Sequence, residues 1–292
     1  MECLSGPEFG YQSYEGNAVL PGRKQMTAEA LCTIEVNGQS WITLLCSPHD
    51  LAHLAIGFLF DAGVIESAAE VRDVRVIGDS KELETLVQVD LRCQKVPLPS
   101  NPTLTSGCSG GVTFFDIAAK RSPLVSDLKV KPAQIYDAMD QLMLEQAQLH
   151  RDVGGFHTAA LSDGHSLLIV AHDVGRHNTL DKIAGAALCH GIPTRDRLLV
   201  ATGRISTEML AKAARMKVPI IISRNSPTGL ATHLAREWRI MIAGYVRGQK
   251  MHIYSTEDRI ASQGPSYSRD RPDDIGHHGH NPRRRHKPAF RA

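Results

Sequence analysis

The 292-residue sequence lacks the features that would assign it at once to a broad class of protein. Its net charge at pH 7 is only +2, which gives no global reason to expect nucleic-acid binding. Its apolar runs are too short or too polar to span a membrane. The N-terminus has no basic start followed by an apolar stretch, as a signal peptide would. We therefore expect a cytoplasmic protein without nucleic-acid or membrane partners.

A disulfide scaffold is also not indicated, because the six cysteines form no Cys-x-x-Cys pair and no regular spacing. Cys32 and Cys46 lie in apolar strand patterns, and Cys189 ends an apolar helical pattern. Reduced cysteines in such surroundings behave as small hydrophobic residues. We therefore expect these three in the core.

Cys108 has different neighbours, because it stands in the glycine- and serine-rich segment TSGCSGG, residues 105–111. Such a backbone can expose several N–H groups, and donors around a sulfur stabilise the thiolate. The thiolate is the form that attacks and that carries a persulfide. A cysteine in a linker between domains is an equally good interpretation of this segment, since no histidine neighbours it in sequence.

Composition and periodicity predict two folded parts flanked by polar segments. Residues 1–25 are interpreted as a flexible N-terminal arm, 26–105 as a small α+β domain and 106–118 as a flexible cysteine-bearing loop. Residues 119–260 are interpreted as a larger α/β domain. The tail, residues 261–292, has too little apolar content to fold and is expected to be disordered.

Local patterns predict the elements of both parts. In the first part, the Asn37-Gly38 turn joins strands at 31–36 and 41–45 into a hairpin, before a helix at 51–62 and strands at 71–77 and 83–89. In the second part, helices are predicted at 131–150, 178–189, 207–216 and 227–238, and strands at 157–162, 166–171, 198–202, 219–223 and 241–245. This close alternation favours a layered, partly parallel sheet.

Loops after the predicted strands of the second part carry basic and hydroxyl side chains. Arg176 and His177 follow one strand, Arg204 and Ser206 follow another, residues 223–229 follow a third, and Arg247 and Lys250 flank a glycine after the last. Helix N-termini favour anions, and α/β sheets bind ligands beyond the carboxyl ends of their strands. If these loops share one edge, they suit a large phosphorylated ligand. Capped helix starts with solvated charges are the simpler alternative.

These segments together resemble those of the FdhD family, the formate dehydrogenase accessory sulfurtransferases. The resemblance covers roughly residues 28–256 and keeps the family's order, and its most specific part is DVGRHNTLDK, residues 173–182. The other matching segments are GFLFDAGVI (57–65), TSGCSGG (105–111), TGRISTEM (202–209) and GYVRGQKMHIY (244–254).

The resemblance implies a function and a fold. Members of this family take sulfur from a cysteine desulfurase as a persulfide on a loop cysteine, at the position of Cys108 here. They pass it to the molybdenum cofactor, Mo-bis(molybdopterin guanine dinucleotide), before insertion into the formate dehydrogenase catalytic subunit. The larger domain is expected to have a cytidine-deaminase-like fold, and a homodimer is expected. The stretch linked to cofactor binding matches Tyr245, Val246, Arg247, Gly248, Gln249 and Lys250, and we add Arg204, Ser206, Arg176 and His177 from the strand-end loops.

The sequence departs from the family pattern at Gly111, where many members have the second cysteine of a Cys-x-x-Cys motif. A relay between two loop cysteines is therefore excluded, and a cofactor-binding chaperone without sulfur transfer is the main alternative. A cysteine hydrolase that pairs Cys108 with His157, His172 or His177 is a weaker one. The zinc deaminase signature, H-x-E followed by P-C-x-x-C, is missing, so neither zinc nor deamination is expected.

Overall fold

The computed structural model describes residues 5–78, 83–93, 103–104, 112–113, 121–150 and 153–261. These residues form a mixed α/β fold with four sheets and five α-helices. Cys108, most of the predicted loop at 106–118 and the predicted disordered tail from residue 262 onward lie outside the described residues. The domain boundaries proposed from the sequence therefore stay predictions.

The elements follow one another in chain order. Before residue 121 they are β1 (Ser5–Glu15), β2 (Ala18–Thr27), β3 (Ala30–Val36), β4 (Gln39–Cys46), α1 (Leu51–Asp61), β5 (Val71–Ile77), β6 (Glu84–Leu91), β7 (Thr103–Leu104) and β8 (Val112–Thr113). After it they are α2 (Pro132–His150), β9 (His157–Ser162), β10 (Leu167–Asp173), α3 (Arg176–His190), β11 (Leu198–Ala201), α4 (Thr207–Arg215), β12 (Ile220–Ser223), α5 (Gly229–Glu237), β13 (Met241–Arg247) and β14 (Lys250–Ser255).

The first part of the chain forms a four-stranded sheet in the order β4-β3-β6-β5. The Asn37-Gly38 turn has positive φ at both residues, 50° and 78°, and closes the predicted antiparallel hairpin of β3 and β4. β3 also pairs with β6 in parallel. The alternate residues Cys32, Ile34 and Val36 of β3 are buried in one hydrophobic cluster with apolar residues of α1. One helix therefore covers one face of this sheet.

The second part forms a six-stranded sheet in the order β10-β9-β11-β12-β13-β14, between two helical layers. β11, β12 and β13 are parallel, and the outer strands are antiparallel to their neighbours. Leu199, Ile221 and Ile242 share a buried cluster with residues of α3, α4 and α5. The strand residues between them, such as Val200 and Ile222, share another cluster with α2. The continuous apolar strands are thus explained by burial on both faces.

Two glycines allow the helices α1 and α3 to pack backbone against backbone. A Cβ atom on Gly57 would lie 1.8 Å from the Asp181 carbonyl oxygen, and one on Gly185 would lie 1.9 Å from the His53 carbonyl oxygen. No other residue type fits at either position without moving a helix. The crossing joins the helix of the four-stranded sheet to a helix of the six-stranded sheet.

The structure differs from the sequence-based expectations in four places. Residues 5–25 of the expected flexible arm belong to the antiparallel hairpin β1–β2, and β14 follows β13 where no strand was predicted. The short strand β8 lies inside the predicted loop at 106–118 and pairs with β7. Cys189 is exposed rather than buried, because it faces outward at the end of α3, whereas Cys32 and Cys46 are buried as predicted.

Candidate functional site

Four strands end at one edge of the six-stranded sheet. β11, β12 and β13 are parallel to one another. β10 is antiparallel to β9, and β9 is antiparallel to β11, so β10 runs in the same direction as these three strands. The loops that follow these strands are the loops that hold the basic and hydroxyl residues singled out in the sequence. The condition for one shared ligand site, that these loops leave the same edge, is therefore met.

Side chains and backbone groups tie two of these loops to each other and to the end of β13. The Ser223 hydroxyl donates to the Gly203 carbonyl oxygen at 2.6 Å, and the Asn225 amide nitrogen donates to the Thr202 carbonyl oxygen at 2.7 Å. The Asn225 carbonyl oxygen in turn accepts from the Tyr245 N–H at 3.3 Å. The loops after β11 and β12 are thus held to each other and to the end of β13.

The Asp173 network anchors the loop between β10 and α3. The Asp173 carboxylate lies 2.7 Å from Lys182 Nζ, and both side chains are almost completely buried. It also accepts hydrogen bonds from the Ser47 N–H at 3.1 Å, the Gly175 N–H at 2.8 Å and the Asn178 amide at 2.8 Å. A buried ion pair with this many additional donors is satisfied in place. Because Ser47 precedes α1, the network also holds the two sheets' loops together.

Arg176 begins α3 and lies against the backbone of the β11–α4 loop. A Cβ atom on Gly203 would lie 3.0 Å from Arg176 Cβ and 3.5 Å from His157 Nδ1, so a larger residue would have to displace the Arg176 side chain slightly. Burial, followed by the positive charge of Arg176, lowers the pKa of His157. Arg176 is therefore mostly covered, whereas Arg204 on the neighbouring loop is exposed.

Ser206, His177 and Glu208 form a connected unit at the start of α4. Ser206 is the N-cap residue, and its hydroxyl oxygen accepts from the Met209 N–H at 3.3 Å. His177 Nε2 lies 3.0 Å from Ser206 Oγ, and His177 Nδ1 lies 3.5 Å from Glu208 Oε2. The predicted residues Arg176, His177 and Ser206 are thus brought together.

Burial, followed by the charges of Arg176 and Lys212, lowers the pKa of His177 to about 3, so its ring is neutral at neutral pH. The Glu208 carboxylate favours the single ring proton at Nδ1, which leaves Nε2 to accept the Ser206 hydroxyl proton. The unit therefore fixes the first turn of α4, whose leading N–H groups have no intrahelical acceptor. A phosphate would be bound there by backbone N–H groups and by Arg204 rather than by the imidazole.

The segment Tyr245–Lys250 divides into a core residue and an exposed tip. Val246 is buried against the α2 side of the sheet, so its side chain does not face a ligand. Arg247 pairs with Lys250 across the β13–β14 turn, in which Gly248 has a φ of 54°. Residues 247–250, which we call the basic tip, are all exposed. The tip therefore presents two cations beside the loop network that reaches Tyr245.

Cys108 lies in the segment between β7 and β8. Thr103 pairs with Thr113 and Leu104 pairs with Val112, so the backbone on the two sides of the cysteine segment is antiparallel and adjacent. The cysteine therefore belongs to the connection of a short hairpin. Its distance to the sheet edge falls outside the described residues.

The match to known proteins decides the family. The family model described as FdhD/NarQ family matches residues 27–261, which is most of the chain. This chain belongs to the FdhD/NarQ family. Proteins named sulfur carrier protein FdhD are 34% identical over 250 residues in Bacillus licheniformis and 35% identical over 257 residues in Bacillus subtilis strain 168. Each alignment covers 85% of this chain and 94% of the relative.

A solved structure shares the fold of this FdhD/NarQ chain. It is a crystal structure from Desulfotalea psychrophila of a protein described as a candidate formate dehydrogenase accessory protein. The TM-score is 0.72 at 24% sequence identity, and the match covers 88% of this chain and all of that chain. At this identity the likeness concerns the fold alone. The resemblance to the FdhD family inferred from the sequence is confirmed.

Two functional contacts of this FdhD/NarQ chain were not foreseen from the sequence. Glu208 lies in the first turn of α4, where acidic residues are ordinary, and only the folded structure brings it to His177. Asn225 follows β12 in a loop rich in polar residues, and nothing local indicates that it bridges two neighbouring loops. Side chains that join loops far apart in sequence leave no signal in a single sequence.

The three histidines proposed as partners of Cys108 in a cysteine hydrolase are all hydrogen-bonded or partly buried. His172 Nδ1 lies 3.0 Å from Thr158 Oγ1, and burial with the charge of Lys182 lowers the pKa of His172 to about 4. His157 and His177 also have lowered pKa values because they are buried. The described residues give no distance from any of them to Cys108, so the hydrolase hypothesis is untested.

The described residues lack a metal-binding cluster and a helix that could cross a membrane. The described part of the chain holds no cluster of three or more histidine, cysteine, aspartate or glutamate side chains placed to bind a metal ion. None of the described helices combines the length and apolar character needed to cross a membrane.

Proposed function

We propose that this chain is a sulfurtransferase that carries sulfur for formate dehydrogenase. Cys108 receives sulfur from a cysteine desulfurase, and the chain passes it to the molybdenum of bound Mo-bis(molybdopterin guanine dinucleotide) before the cofactor enters the enzyme. The observation that carries the proposal is family membership, with curated relatives named sulfur carrier proteins over 94% of their length. The position of Cys108 between paired strands at a glycine-rich segment supports it.

The first step needs no net oxidation. The Cys108 thiolate attacks the outer sulfur of the desulfurase persulfide, the sulfur–sulfur bond of the donor breaks, and the donor cysteine leaves as a thiolate. The product is a persulfide on Cys108. Delivery of the outer sulfur as sulfide breaks the new sulfur–sulfur bond, returns the Cys108 thiolate and takes two electrons from a thiol reductant.

The sheet edge supplies the features that a large phosphorylated cargo needs. Arg204, Arg247 and Lys250 are exposed, so their charges are available to phosphate groups. The start of α4 adds N–H donors, and the hydrogen-bonded loops position them before any ligand arrives. We assign the guanine dinucleotide phosphates to these residues and the metal end to the side of the site that Cys108 reaches.

Mass spectrometry tests the sulfur step. The purified protein is incubated with a cysteine desulfurase and cysteine, and the intact mass is compared with that of Cys108→Ala. We expect one added sulfur atom in the wild type and none in the variant. Cys189→Ala is the control, because Cys189 is an exposed cysteine at the end of α3, outside the glycine-rich segment. An addition that survives Cys108→Ala would refute the carrier role of this cysteine.

A cofactor chaperone without sulfur transfer is the second candidate, and Gly111 favours it because no second loop cysteine is present. Complementation separates the two functions. In a strain that lacks its own sulfur carrier, the first proposal predicts that Cys108→Ala and Cys108→Ser restore no formate dehydrogenase activity. Full restoration by both variants would support the chaperone instead.

The proposal includes the finer fold and assembly. We assign a cytidine-deaminase-like layering to the larger domain, with a smaller N-terminal α+β domain, and the three layers around the six-stranded sheet support it. We also assign a homodimer, a cytoplasmic location, and the desulfurase and the formate dehydrogenase catalytic subunit as partners.

A further inference from the structure

A cavity of about 410 Å³ lies at the start of α1, beside the four-stranded sheet. It is lined by residues 48–53, which lead into the helix, and by Val76, Gly78 and Thr85 from the end of β5 and the start of β6. Pockets that bind small molecules typically have volumes of about 300–1,000 Å³. None of the lining residues belongs to the sheet edge or to the segment that holds Cys108.

The start of α1 has backbone donors without acceptors. Asp50 is the N-cap residue, with a left-handed backbone at a φ of 51°, and its side chain accepts no hydrogen bond from the helix. The first bond into the helix runs from the Leu54 N–H to the Asp50 carbonyl oxygen at 2.9 Å. The N–H groups of residues 51–53 therefore lack an acceptor within the described part of the chain. These N–H groups point beyond the start of the helix, where the cavity lies.

Thr85 adds a hydroxyl that has no partner. This side chain is the second of β6, its residue is only 4% exposed, and its Oγ1 has no hydrogen-bond partner among the described residues. Strand alternation places it on the same face as Val87 and Val89, which pack in the cluster with α1. Buried hydroxyl groups are normally hydrogen-bonded, so this one is placed to bind a ligand in the cavity.

The loop that leads into α1 is fixed before any ligand arrives. The His49 N–H donates to the Ser47 carbonyl oxygen at 2.8 Å. The Ser47 N–H donates to Asp173 at 3.1 Å, and the Ser47 hydroxyl accepts from the Val174 N–H at 3.1 Å. The donors at the helix start are thus held in place, which lowers the entropic cost of binding.

The charges that line the cavity are unusual for an anion site. No lysine or arginine is among the lining residues. Burial, followed by the charge of Lys182, lowers the pKa of His49 to about 3, and burial also lowers the pKa of His53 below its ordinary value of 6.5. Both rings are therefore neutral at neutral pH. Asp50, whose side chain is 51% exposed and lies 3.9 Å from His49 Nε2, is the one charged side chain that lines the cavity.

These features select a ligand with two opposite charges. A phosphate would meet the like charge of Asp50 with no basic side chain to compensate it, and an amine alone would meet the positive end of the α1 dipole. A molecule with a carboxylate and an ammonium group on one carbon matches both, because Asp50 directly precedes the three N–H groups. The remaining lining side chains at Pro48, Leu51 and Val76 are apolar.

We infer that the cavity at the start of α1 binds a free α-amino acid. The ligand carboxylate accepts from the N–H groups of residues 51–53 and from the Thr85 hydroxyl, its ammonium group lies against the Asp50 carboxylate, and its side chain contacts the apolar residues. This site is separate from the proposed sulfur carriage and does not rest on it.

Calorimetry with the full chain tests the class of ligand. The probes are L-alanine, L-leucine and L-phenylalanine, each with its N-acetyl derivative, which lacks the ammonium group, and its amide, which lacks the carboxylate. We expect saturable binding of at least one free amino acid, with at least about tenfold weaker binding of both of its derivatives. Binding of none of the three, or equally tight binding of either derivative, would overturn the inference. Displacement of the amino acid by inorganic phosphate would indicate a simple anion site and would also overturn it.

Two variants test the residues. Asp50→Asn keeps the side-chain shape, and asparagine tolerates a left-handed backbone. It should weaken binding of the amino acid at least about tenfold and remove the preference over the N-acetyl derivative. Thr85→Val should weaken binding without lowering stability in urea, because the hydroxyl makes no hydrogen bond in the empty protein. Unchanged affinity in both variants would show that the amino acid binds elsewhere.

Thr33→Val is the matched control for Thr85→Val. Thr33 lies on the neighbouring strand β3, where its hydroxyl is 2.8 Å from Thr43 Oγ1, and it does not line the cavity. Its affinity for the amino acid should equal that of the wild type, and an equal loss in both threonine variants would contradict the assignment of Thr85. Loading of Cys108 with sulfur is measured separately, so a failure of sulfur carriage leaves the amino-acid site standing, and the reverse also holds.

Discussion

The Asp173 network and the basic tip lie at the same edge of one sheet, but their charges have different surroundings. The charges of the network are compensated inside the protein, whereas those of the tip face solvent. Asp173 and Lys182 are buried and meet each other and several backbone groups. Arg247 and Lys250 are exposed beyond the end of the sheet. A charge that is already compensated holds the fold together, whereas an exposed charge is available for a ligand. This contrast separates the residues that build the rim from those whose charges a ligand could reach.

The largest effect is expected from Asp173→Asn. The substitution leaves the Lys182 ammonium buried with the carbonyl oxygens of Ser47 and His172 as its acceptors. Breaking a buried pair in this way lowers the free energy of unfolding by about 3–5 kcal/mol, which urea denaturation measures. The control is Arg75→Met, which breaks an exposed 3.0 Å pair with Asp90 and should cost less than about 1 kcal/mol. An equal loss of stability in both variants would contradict the distinction between the buried and the exposed ion pair.

The pH dependence of stability should be the next largest effect. Burial and the charge of Lys182 lower the pKa of His172 to about 4, below its ordinary value of 6.5. The unfolded chain therefore binds the proton more tightly, so stability is full above pH 6.5 and is lost as the pH falls toward 4. At pH 5 the difference in His172 pKa lowers the free energy of unfolding by about 2 kcal/mol at most, relative to its value above pH 6.5.

His49 and His177 have pKa values lowered to about 3 by burial and act in the same direction. Denaturation of the wild type and of His172→Gln at pH 8 and pH 5 isolates the contribution of His172. The variant should lose less stability between the two pH values. An identical loss would show that His172 is not held neutral by its surroundings.

A smaller effect is expected at the start of α4. Ser206→Ala removes the N-cap hydroxyl, which typically costs about 1 kcal/mol. Thr228→Ala removes the corresponding cap of α5 and should cost about the same. Only Ser206→Ala also releases His177, so only this variant should change the titration of the His177 ring signals in NMR. A shift of those signals in Thr228→Ala alone would argue against the Ser206–His177–Glu208 unit.

The smallest effect on stability, and the clearest on binding, is expected at the basic tip. The double variant Arg247→Ala, Lys250→Ala should change the free energy of unfolding by less than about 0.5 kcal/mol. Its affinity for GDP, used as a probe for the guanine dinucleotide, should fall at least about tenfold, which corresponds to about 1.4 kcal/mol. Calorimetry measures this, with Arg72→Ala on the other sheet as an exposed control. Unchanged GDP affinity would remove the basic tip from the site.

Much of the sheet architecture could be predicted because burial leaves a periodic pattern. Residues 198–201 and 219–222 are all apolar because both faces of β11 and β12 are covered. Asn37-Gly38 identifies its hairpin because few other pairs adopt two positive φ angles. These signals are local, so a single sequence contains them.

Other features depend on contacts between distant segments. The hairpin β1–β2 was missed because neither of its faces is buried, so no contrast between apolar and polar positions marks it. Asp173 lies just before α3, yet Gly175 is the N-cap residue and Asp173 binds Lys182 and Ser47. Only the fold brings those partners to it.

The pairing of β7 with β8 limits how far Cys108 can lie from these two strands. Cys108 is four residues from Leu104 and four from Val112, and a residue extends the chain by at most about 3.6 Å. Its Cα therefore stays within about 14 Å of both strands. A tether this short keeps the thiol at a millimolar effective concentration for any acceptor docked inside that radius. Under the proposed sulfur transfer, a productive acceptor would therefore have to place its metal within about 14 Å of the strand pair.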